Sequence, residues 1–330
     1  MVGQCPLPDE TTAAKVFRSH FSEPVSAVTR FPTGLRHYVY EVLTSTGGAY
    51  VVRIASAASR LDLEGGLYWH PRLKAAGVPV PVLYASGLTD QSPYMLIERL
   101  PGSDLGQAYA GLSSAAKQAL AVRIAAIQRA VAALPMAHGF GFAHSLEQAN
   151  ATGKRSWVEV IAADITRSEQ RIRRVDRSEQ HYVERVRAVL AGHEPYLQSV
   201  RPVPFLDDTT TKNVIVNQGT LSGIVDTDEV CFGDPLFTLG LTNMALLSLG
   251  ADTDYVGYWL DAIDASRQQR AIVAVYSLVF CLGFMSELGQ VFNQPVGYSE
   301  SRAQSLRDIF ELLMNTFTAA TSRSVAREPR

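Results

Sequence analysis

The chain has 330 residues, of which 47% are hydrophobic, so it can form one large or two modest domains with a substantial core. Its formal net charge is −2, and the sequence has neither the basic excess nor the basic stripe that is typical of nucleic-acid and membrane-surface proteins. We therefore expect no nucleic acid and no membrane among its partners.

The first hundred residues predict a five-stranded antiparallel sheet with one long helix between its third and fourth strands. An opening helix is expected over residues 11–21, capped by Thr11 or Thr12. The predicted strands are 25–31, 38–43, 49–54, 82–86 and 94–98, and the helix at 61–76 ends at Gly77. Pro101-Gly102 follows the last strand, so an N-terminal lobe is predicted over residues 1–100.

Beyond Gly102 most apolar residues recur at helical spacing, and the only stretch that looks extended is the hairpin near residue 208. The predicted helices are 112–134, 156–175, 178–198, 236–249, 255–265, 270–288 and 299–318. The most apolar stretch, 271–284, is short for a bilayer span and predicts a buried helix. The predicted fold class is therefore α+β, with a mostly helical C-terminal lobe over residues 101–330.

Cysteine usage and the N-terminal sequence indicate a cytoplasmic setting. Cys5, Cys231 and Cys281 are widely spaced and form neither a disulfide framework nor a metal motif, which favours a reducing compartment. The N-terminus lacks a basic region followed by an apolar core, so no signal peptide is expected.

Several kinds of chemistry have no motif here. The seven histidines show no HExxH or other paired spacing, so a zinc site is not expected. The chain also lacks GxSxG and GxGxxG, which argues against hydrolase and dehydrogenase functions.

One predicted hairpin carries a set of polar residues at its ends. Two short apolar runs flank the turn Asn217-Gln218-Gly219, so they predict two paired strands. Asp208, Asn213 five residues later, and Asp226 after the return strand would then meet at one edge of the hairpin. A phosphotransferase needs such a set, because one carboxylate receives the proton of an acceptor hydroxyl while the other oxygens hold magnesium against nucleotide phosphates. The alternative is an ordinary hairpin, since Asp and Asn favour strand ends and turns.

Five segments between residues 25 and 249 resemble, in order, the aminoglycoside phosphotransferases and their choline-kinase-like and homoserine-kinase-like relatives. The most specific part is Asp208-x-x-x-x-Asn213-Val-Ile-Val, then Gly-Ile-Val-Asp226, then Gly233-Asp234-Pro235. The resemblance implies a two-lobed protein-kinase-like fold. It also implies a kinase that transfers the γ-phosphoryl group of ATP or GTP, with Mg²⁺, to a hydroxyl of an aminoglycoside-like or other hydroxylated metabolite.

Roles for the hairpin residues follow from this resemblance. Asp208 corresponds to the catalytic acid of the loop, Asn213 to one magnesium ligand and Asp226 to the principal one. Arg53 occupies the third-strand position where kinases place a phosphate-binding lysine, and Glu64 matches the helix glutamate that pairs with this cation. The alternatives are a solvent-facing arginine and an exposed helix glutamate.

Two further segments are expected to bind the nucleotide. The turn that contains Thr33 and Gly34 would cradle phosphates, although one glycine is equally typical of an ordinary hairpin turn. Glu98 to Leu100, followed by Pro101-Gly102, resembles the linker between lobes whose backbone meets the adenine edge. A Pro-Gly pair also marks any domain boundary.

The chain departs from the family pattern at the catalytic loop. Leu206-Asp207-Asp208 stands where the family usually has His-Gly-Asp, so the loop must be held in some other way. Lys212 could neutralise charge on the transferred group or be a solvated lysine. Asp228 could assist the metal or merely terminate the strand. Asp234 is expected first of all to support local structure.

These departures leave a second hypothesis, a nucleotide-binding module without catalysis. A protein kinase is not expected, because His-Arg-Asp, Asp-Phe-Gly and Ala-Pro-Glu segments are missing. The expected partners are a nucleotide and a small hydroxylated substrate, with the chain a monomer or dimer.

Overall fold

The N-terminal part is a five-stranded antiparallel sheet in a computed structural model that describes residues 7–32, 37–88, 92–174, 180–290 and 297–325. The strand order is β1-β2-β3-β5-β4. The strands are β1 (Val25–Arg30), β2 (His37–Thr44), β3 (Ala49–Ala55), β4 (Leu83–Gly87) and β5 (Tyr94–Glu98). The predicted sheet is thereby confirmed, with α2 (Arg60–Ala75) between its third and fourth strands.

Helix α1 (Glu10–Arg18) packs on one face of this sheet through Ala13 and Phe17, which are buried with the inward side chains of β2 and β3. The predicted cap is wrong by a few residues. Asp9, rather than Thr11 or Thr12, is the N-cap residue, and its side chain accepts a hydrogen bond from the Thr12 backbone at 2.8 Å. An aspartate cap satisfies an otherwise unpaired amide of the first turn.

The rest of the chain is mostly helical, and the predicted α+β class is confirmed. The helices are α3 (Leu105–Ala108), α4 (Ser114–Ala132), α5 (Leu146–Thr152), α6 (Trp157–Arg174), α7 (Gln180–Ala191), α8 (Glu194–Ser199), α9 (Leu236–Ser248), α10 (Asp254–Ala262), α11 (Arg267–Glu287) and α12 (Glu300–Val325). One helix predicted over 178–198 is two, because the chain breaks at Gly192-His193 and Pro195 starts the next helix. The division of the chain after residue 100 stays a prediction.

Two small sheets lie among these helices, and most of their strands were not predicted. One has the order β10-β9-β6 and the other β7-β11-β8. Their strands are β6 (Ser103–Asp104), β7 (Gly141–Ala143), β8 (Val203–Phe205), β9 (Val214–Asn217), β10 (Thr220–Ile224) and β11 (Val230–Gly233). Only the β9–β10 hairpin was predicted, since runs of two to four residues are too short to show a period.

Helix α11 lies at the centre of the helical core. Its buried residues include Tyr276, Leu278 and Leu282, and it packs against α6, α9 and α12. Among the described residues it alone is long and apolar enough to cross a membrane by length and composition, and 61% of its most apolar window is buried inside the protein. A core helix has the same composition, so the predicted buried helix is confirmed.

A buried polar cluster joins α11 to the C-terminal end of β11. Asp234 accepts hydrogen bonds from the hydroxyls of Tyr196 at 2.9 Å and Tyr276 at 2.8 Å, and from the Leu236 backbone at 3.0 Å. The Tyr276 hydroxyl in turn accepts from Trp157 Nε1 at 2.8 Å. Asp234 therefore holds the start of α9 against α8 and α11.

Replacing Tyr276 by Phe should lower the free energy of unfolding by about 2 kcal/mol, because Trp157 Nε1 loses its acceptor and Asp234 loses a donor inside the core. Urea denaturation measures this change. Tyr258→Phe is the matched control, because Tyr258 is a half-buried residue whose hydroxyl has no hydrogen bond within the described ranges. Equal stability of the two variants would contradict the importance of the cluster.

Candidate functional site

The β9–β10 hairpin brings the two ends of the predicted site together. Gln218 and Gly219 form its turn with φ angles of 49° and 79°, the left-handed conformation that a two-residue hairpin turn requires. Val214 then pairs with Ile224, and the Val225 backbone donates to the Asn213 carbonyl at 2.9 Å. Asn213 and Asp226 consequently lie side by side at the same edge of the hairpin.

Asp226 has an unusual backbone. Its φ of 60° lies in the left-handed region, which costs a residue other than glycine roughly 1 kcal/mol or more. Its side chain is 54% exposed. The chain therefore turns away from the strand at this position and leaves a carboxylate open to solvent.

Asp208 lies beside Asn213, whose Nδ2 donates to the Asp208 carbonyl at 3.0 Å. The Thr210 hydroxyl donates to Asp208 Oδ1 at 2.6 Å. Burial raises the pKa of Asp208 to about 6, and nearby Asp226 acts in the same direction, while Thr210 and Lys212 oppose the shift. The structure thus places a partly buried carboxylate within electrostatic range of a second, exposed one.

These oxygens fit a magnesium ion. The Asn213 amide nitrogen is used by the loop, which leaves its oxygen for a cation, and the exposed Asp226 carboxylate lies next to it. No set of three or more His, Cys, Asp or Glu side chains within the described ranges could hold a metal ion. Magnesium accepts one or two protein ligands together with phosphate oxygens and water, so Asn213 and Asp226 could serve as such ligands.

Arg53 of β3 is buried and binds two aspartates. Its Nη1 donates to Asp228 Oδ1 at 2.9 Å, and its Nη2 donates to Asp228 Oδ2 at 2.7 Å and to Asp226 Oδ1 at 2.8 Å. Burial opposes the charge of Arg53, but Asp228 and Asp226 outweigh it and hold the pKa of the guanidinium above its usual value. Arg53 therefore stays charged next to the exposed Asp226.

Asp228 is the residue that the sequence analysis underrated. Burial alone would raise the pKa of Asp228, but Arg53 and the hydrogen bond with His37 hold it below its usual value. His37 Nε2 lies 2.7 Å from Asp228 Oδ2. Asp228 therefore has more than the strand-ending role that was one of its two expected alternatives, and its side chain is buried. It joins β2 and β3 to the segment that follows the hairpin.

The expected pair between Glu64 and Arg53 is wrong. Glu64 instead accepts from Arg60 Nε at 2.8 Å, one turn earlier in α2, and its side chain is 35% exposed. The next two residues explain why: a methyl group at Gly65 would lie 2.2 Å from the Asp228 carbonyl oxygen, and one at Gly66 would lie 2.5 Å from Asp228 Oδ1. The two glycines let Asp228 approach α2 and pair with Arg53.

The loop that carries Asp208 is held by Gln128 of α4, which supplies contacts where the expected histidine is missing. Its Nε2 donates to the Leu206 carbonyl at 2.6 Å and to Thr209 Oγ1 at 2.9 Å, and its Oε1 accepts from the Leu206 backbone at 3.1 Å. Thr209 in turn contacts the Thr238 hydroxyl at 3.1 Å. A lone glutamine on a helix carries no local signal for this role, so the sequence could not reveal it.

The two remaining predicted segments differ in what the structure shows. Glu98 ends β5, and its side chain accepts from the Val82 backbone at 3.0 Å. Leu100 is buried and packs closely against Gly223 of β10, where an added methyl group would lie 2.7 Å from Leu100 Cδ1. This segment therefore lies between the large sheet and the hairpin. Thr33 and Gly34 fall outside the described residues.

Replacing Asp228 by Asn should lower the free energy of unfolding by about 3 kcal/mol, because it leaves the buried Arg53 without its main counter-charge. Glu64→Gln should change it by less than about 0.5 kcal/mol, as expected for a half-exposed pair within one helix. Urea denaturation of both variants measures the difference. The reverse order of effects would restore Glu64 as the partner of Arg53.

Comparison with known proteins assigns this geometry to a family. A family model described as "Phosphotransferase enzyme family" matches residues 27–271. None of the curated proteins compared with the chain matches it.

Solved structures of aminoglycoside phosphotransferases share the fold. The chain is similar to aminoglycoside phosphotransferase APH(4)-Ia with a TM-score of 0.66 and 16% identity, over 92% of this chain and 98% of that one. It is similar to a GDP complex of an aminoglycoside 2'-phosphotransferase-IIIa mutant with a TM-score of 0.67 and 16% identity, over 94% and 99% of the two chains. A ternary complex of an APH(4)-Ia mutant with AMP-PNP and hygromycin B has a TM-score of 0.64 and 17% identity, over 92% and 97% of the chains.

The match to the family model spans most of the chain, and the likeness of fold extends over nearly all of it. Both the predicted resemblance and the two-lobed kinase-like fold are confirmed. The chain belongs to the phosphotransferase enzyme family.

Proposed function

We propose that this phosphotransferase transfers the γ-phosphoryl group of ATP or GTP, with Mg²⁺, to a hydroxyl of an aminoglycoside-like or other small hydroxylated metabolite. The observation that carries the proposal is the meeting of Asp208, Asn213 and Asp226 at one edge of the hairpin, next to Arg53. Phosphoryl transfer needs little from a protein beyond positioning and charge compensation, and these four side chains provide both.

Each residue has a task that follows from its position. Asn213 and Asp226 would hold magnesium, which compensates the negative charge of the phosphate oxygens during transfer. Arg53 extends the cationic region toward the phosphates. Asp208 is partly buried and its pKa is raised to about 6, so it would orient the acceptor hydroxyl and accept its proton.

The nucleotide would lie between the large sheet and the helical part. In this proposal residues 1–100 form the nucleotide-binding lobe and residues 101–330 the catalytic and substrate lobe. The backbone of Glu98 to Leu100 would meet the base, and Thr33 and Gly34 would cover the phosphates.

One observation favours the second candidate, a nucleotide-binding module without catalysis. The guanidinium of Arg53 is already bound by Asp226 and Asp228, so a nucleotide must compete with Asp226 for the same cation. Turnover decides between the two candidates.

We further propose a cytoplasmic location and a monomer or dimer. Cys231 and Cys281 are buried free thiols, and burial raises the pKa of the Cys231 thiol, so it is protected as a thiol rather than a reactive thiolate.

Replacing Asp226 by Ala or Asp208 by Asn should each reduce magnesium-dependent nucleotide turnover by at least about 100-fold, because one removes a metal ligand and the other the proton acceptor. Coupled assays of ADP or GDP release, with a panel of hydroxylated acceptors and without acceptor, measure this loss. Asp308→Asn, on the exposed side of α12, is the matched control. Undiminished turnover in either site variant refutes its role, and nucleotide binding by the wild type with no turnover favours the inactive module.

Replacing Gln128 by Met should lower kcat by about tenfold or more while the KM for nucleotide changes little, because only the loop that positions Asp208 loses its hydrogen bonds. Steady-state kinetics below the melting temperature of the variant separate the two parameters. A change confined to KM would contradict a loop-positioning role for Gln128.

A further inference from the structure

Arg53 has two carboxylate partners, and they differ in how firmly they are held. Asp228 accepts from both terminal nitrogens of the guanidinium, whereas Asp226 accepts only from Nη2, at 2.8 Å. Within the described ranges this is the only hydrogen bond of the Asp226 side chain, which is 54% exposed against 9% for Asp228. The two carboxylates therefore hold Arg53 unequally.

The cost of breaking each pair differs for the same reason. A carboxylate that is more than half exposed regains water when it leaves a cation, so such a pair contributes little to stability. Breaking the pair with Asp228 would instead leave two buried charges without a counter-charge, which is strongly destabilising. Asp226 is thus the partner that can leave Arg53.

His37 is a second group bound to Asp228, and it lies next to Arg53. It begins β2, and Val39 two residues later pairs with Arg53 of β3, so the side chains of His37 and Arg53 project from the same face of the sheet. His37 Nε2 lies 2.7 Å from Asp228 Oδ2, the oxygen that also accepts from Arg53 Nη2. Since an ionised carboxylate only accepts, Nε2 donates this hydrogen bond.

Asp228 is the one hydrogen-bond partner that the structure shows for the His37 ring. The other ring nitrogen, Nδ1, is buried and has no hydrogen-bond partner in the part of the chain that the structure describes. Burying a polar nitrogen without a partner costs free energy. The bond to Asp228 is therefore what the buried imidazole supplies at this position.

We propose that Asp226 is the exchangeable partner of Arg53, and that His37 is a positioning residue that holds Arg53 through Asp228 while Asp226 binds the divalent ion. The inference rests on the proposed function in one respect, that nucleotide and ion bind at this site. Departure of Asp226 frees one N–H of Nη2 for a phosphate oxygen, and the two hydrogen bonds to Asp228 keep the guanidinium in place. Without His37, Asp228 and Arg53 could shift together, and a nucleotide would have to order them on binding.

Isothermal titration of AMP-PNP and GMP-PNP in EDTA tests the exchange, because the nucleotide then competes with Asp226 in the absence of the ion. We expect Asp226→Ala to bind the better analogue at least about threefold more tightly than the wild type in EDTA, and more weakly in Mg²⁺. Glu64→Gln is the matched control, because it removes a carboxylate of the neighbouring helix that pairs with Arg60 instead of Arg53, and it should change the affinity by less than about twofold. Equal or weaker binding by Asp226→Ala in EDTA, including no measurable binding by either protein, would overturn the exchange.

A double-mutant cycle tests the positioning role of His37. In Mg²⁺, His37→Phe should weaken binding of the same analogue at least about threefold, and His37→Gln, whose amide nitrogen can replace Nε2, should recover part of this loss. In the Arg53→Met background, His37→Phe should change the affinity by less than about 1.5-fold, because its effect passes through Arg53. His20→Phe is the matched control, since it loses one exposed hydrogen bond, to the Tyr94 hydroxyl. Equal effects of His37→Phe in the two backgrounds would show a structural role only and overturn the proposal.

Turnover separates this inference from phosphoryl transfer. Release of ADP or GDP by the wild type is measured with the panel of hydroxylated acceptors. Affinities that follow both expectations, together with no turnover, leave the positioning role standing and count against phosphoryl transfer. Turnover by the wild type, together with equal effects of His37→Phe in the two backgrounds, supports phosphoryl transfer and overturns the role of His37.

Discussion

The buried ion pair between Arg53 and Asp228 is the constraint on which the rest of the site depends. Removing both charges from water is costly. The pair is tolerated because the guanidinium and the carboxylate meet through two hydrogen bonds, while His37 also contacts the Asp228 carboxylate and Asp226 also accepts from the Arg53 guanidinium. A pair of this kind is sensitive to geometry. It therefore fixes the position of the large sheet relative to the segment that follows the hairpin.

That constraint has consequences for the chemistry. Arg53 contacts Asp226 with the same nitrogen that binds Asp228, so the cation proposed for phosphates and the carboxylate proposed for magnesium lie next to each other. From the other side, Gln128 holds the loop that carries Asp208. Preorganisation of this kind removes the cost of assembling charged groups during the reaction.

Sequence patterns predicted the parts of the structure that depend on local chemistry. The β9–β10 hairpin was evident because Asn217-Gln218-Gly219 suits a tight turn, and the large sheet was evident from alternating strands. The counter-ion of Arg53 could not be predicted, because Asp228 is 175 residues away along the chain. Only tertiary packing determines which carboxylate lies beside Arg53. The one signal in the sequence was the pair Gly65-Gly66. Two glycines weaken a helix, so their presence indicates that another segment packs closely against it, and in the structure that segment contains Asp228.

The site was predicted only in part, because local spacing shows some of its residues and long-range packing determines the others. Spacing along one hairpin placed Asp208, Asn213 and Asp226 together, and the structure brings them to one edge. The support for the Asp208 loop comes from α4, a helix whose sequence shows only its periodicity, so no local pattern pointed to Gln128.

Electron paramagnetic resonance with Mn²⁺ in place of Mg²⁺ tests the central claim, that Asn213 and Asp226 share one divalent ion with the nucleotide. The account predicts one tightly bound Mn²⁺ per chain only when nucleotide is present, with that ion lost when either residue is replaced by Ala. Retention of the same Mn²⁺ signal after both replacements, or tight binding without nucleotide, would contradict it.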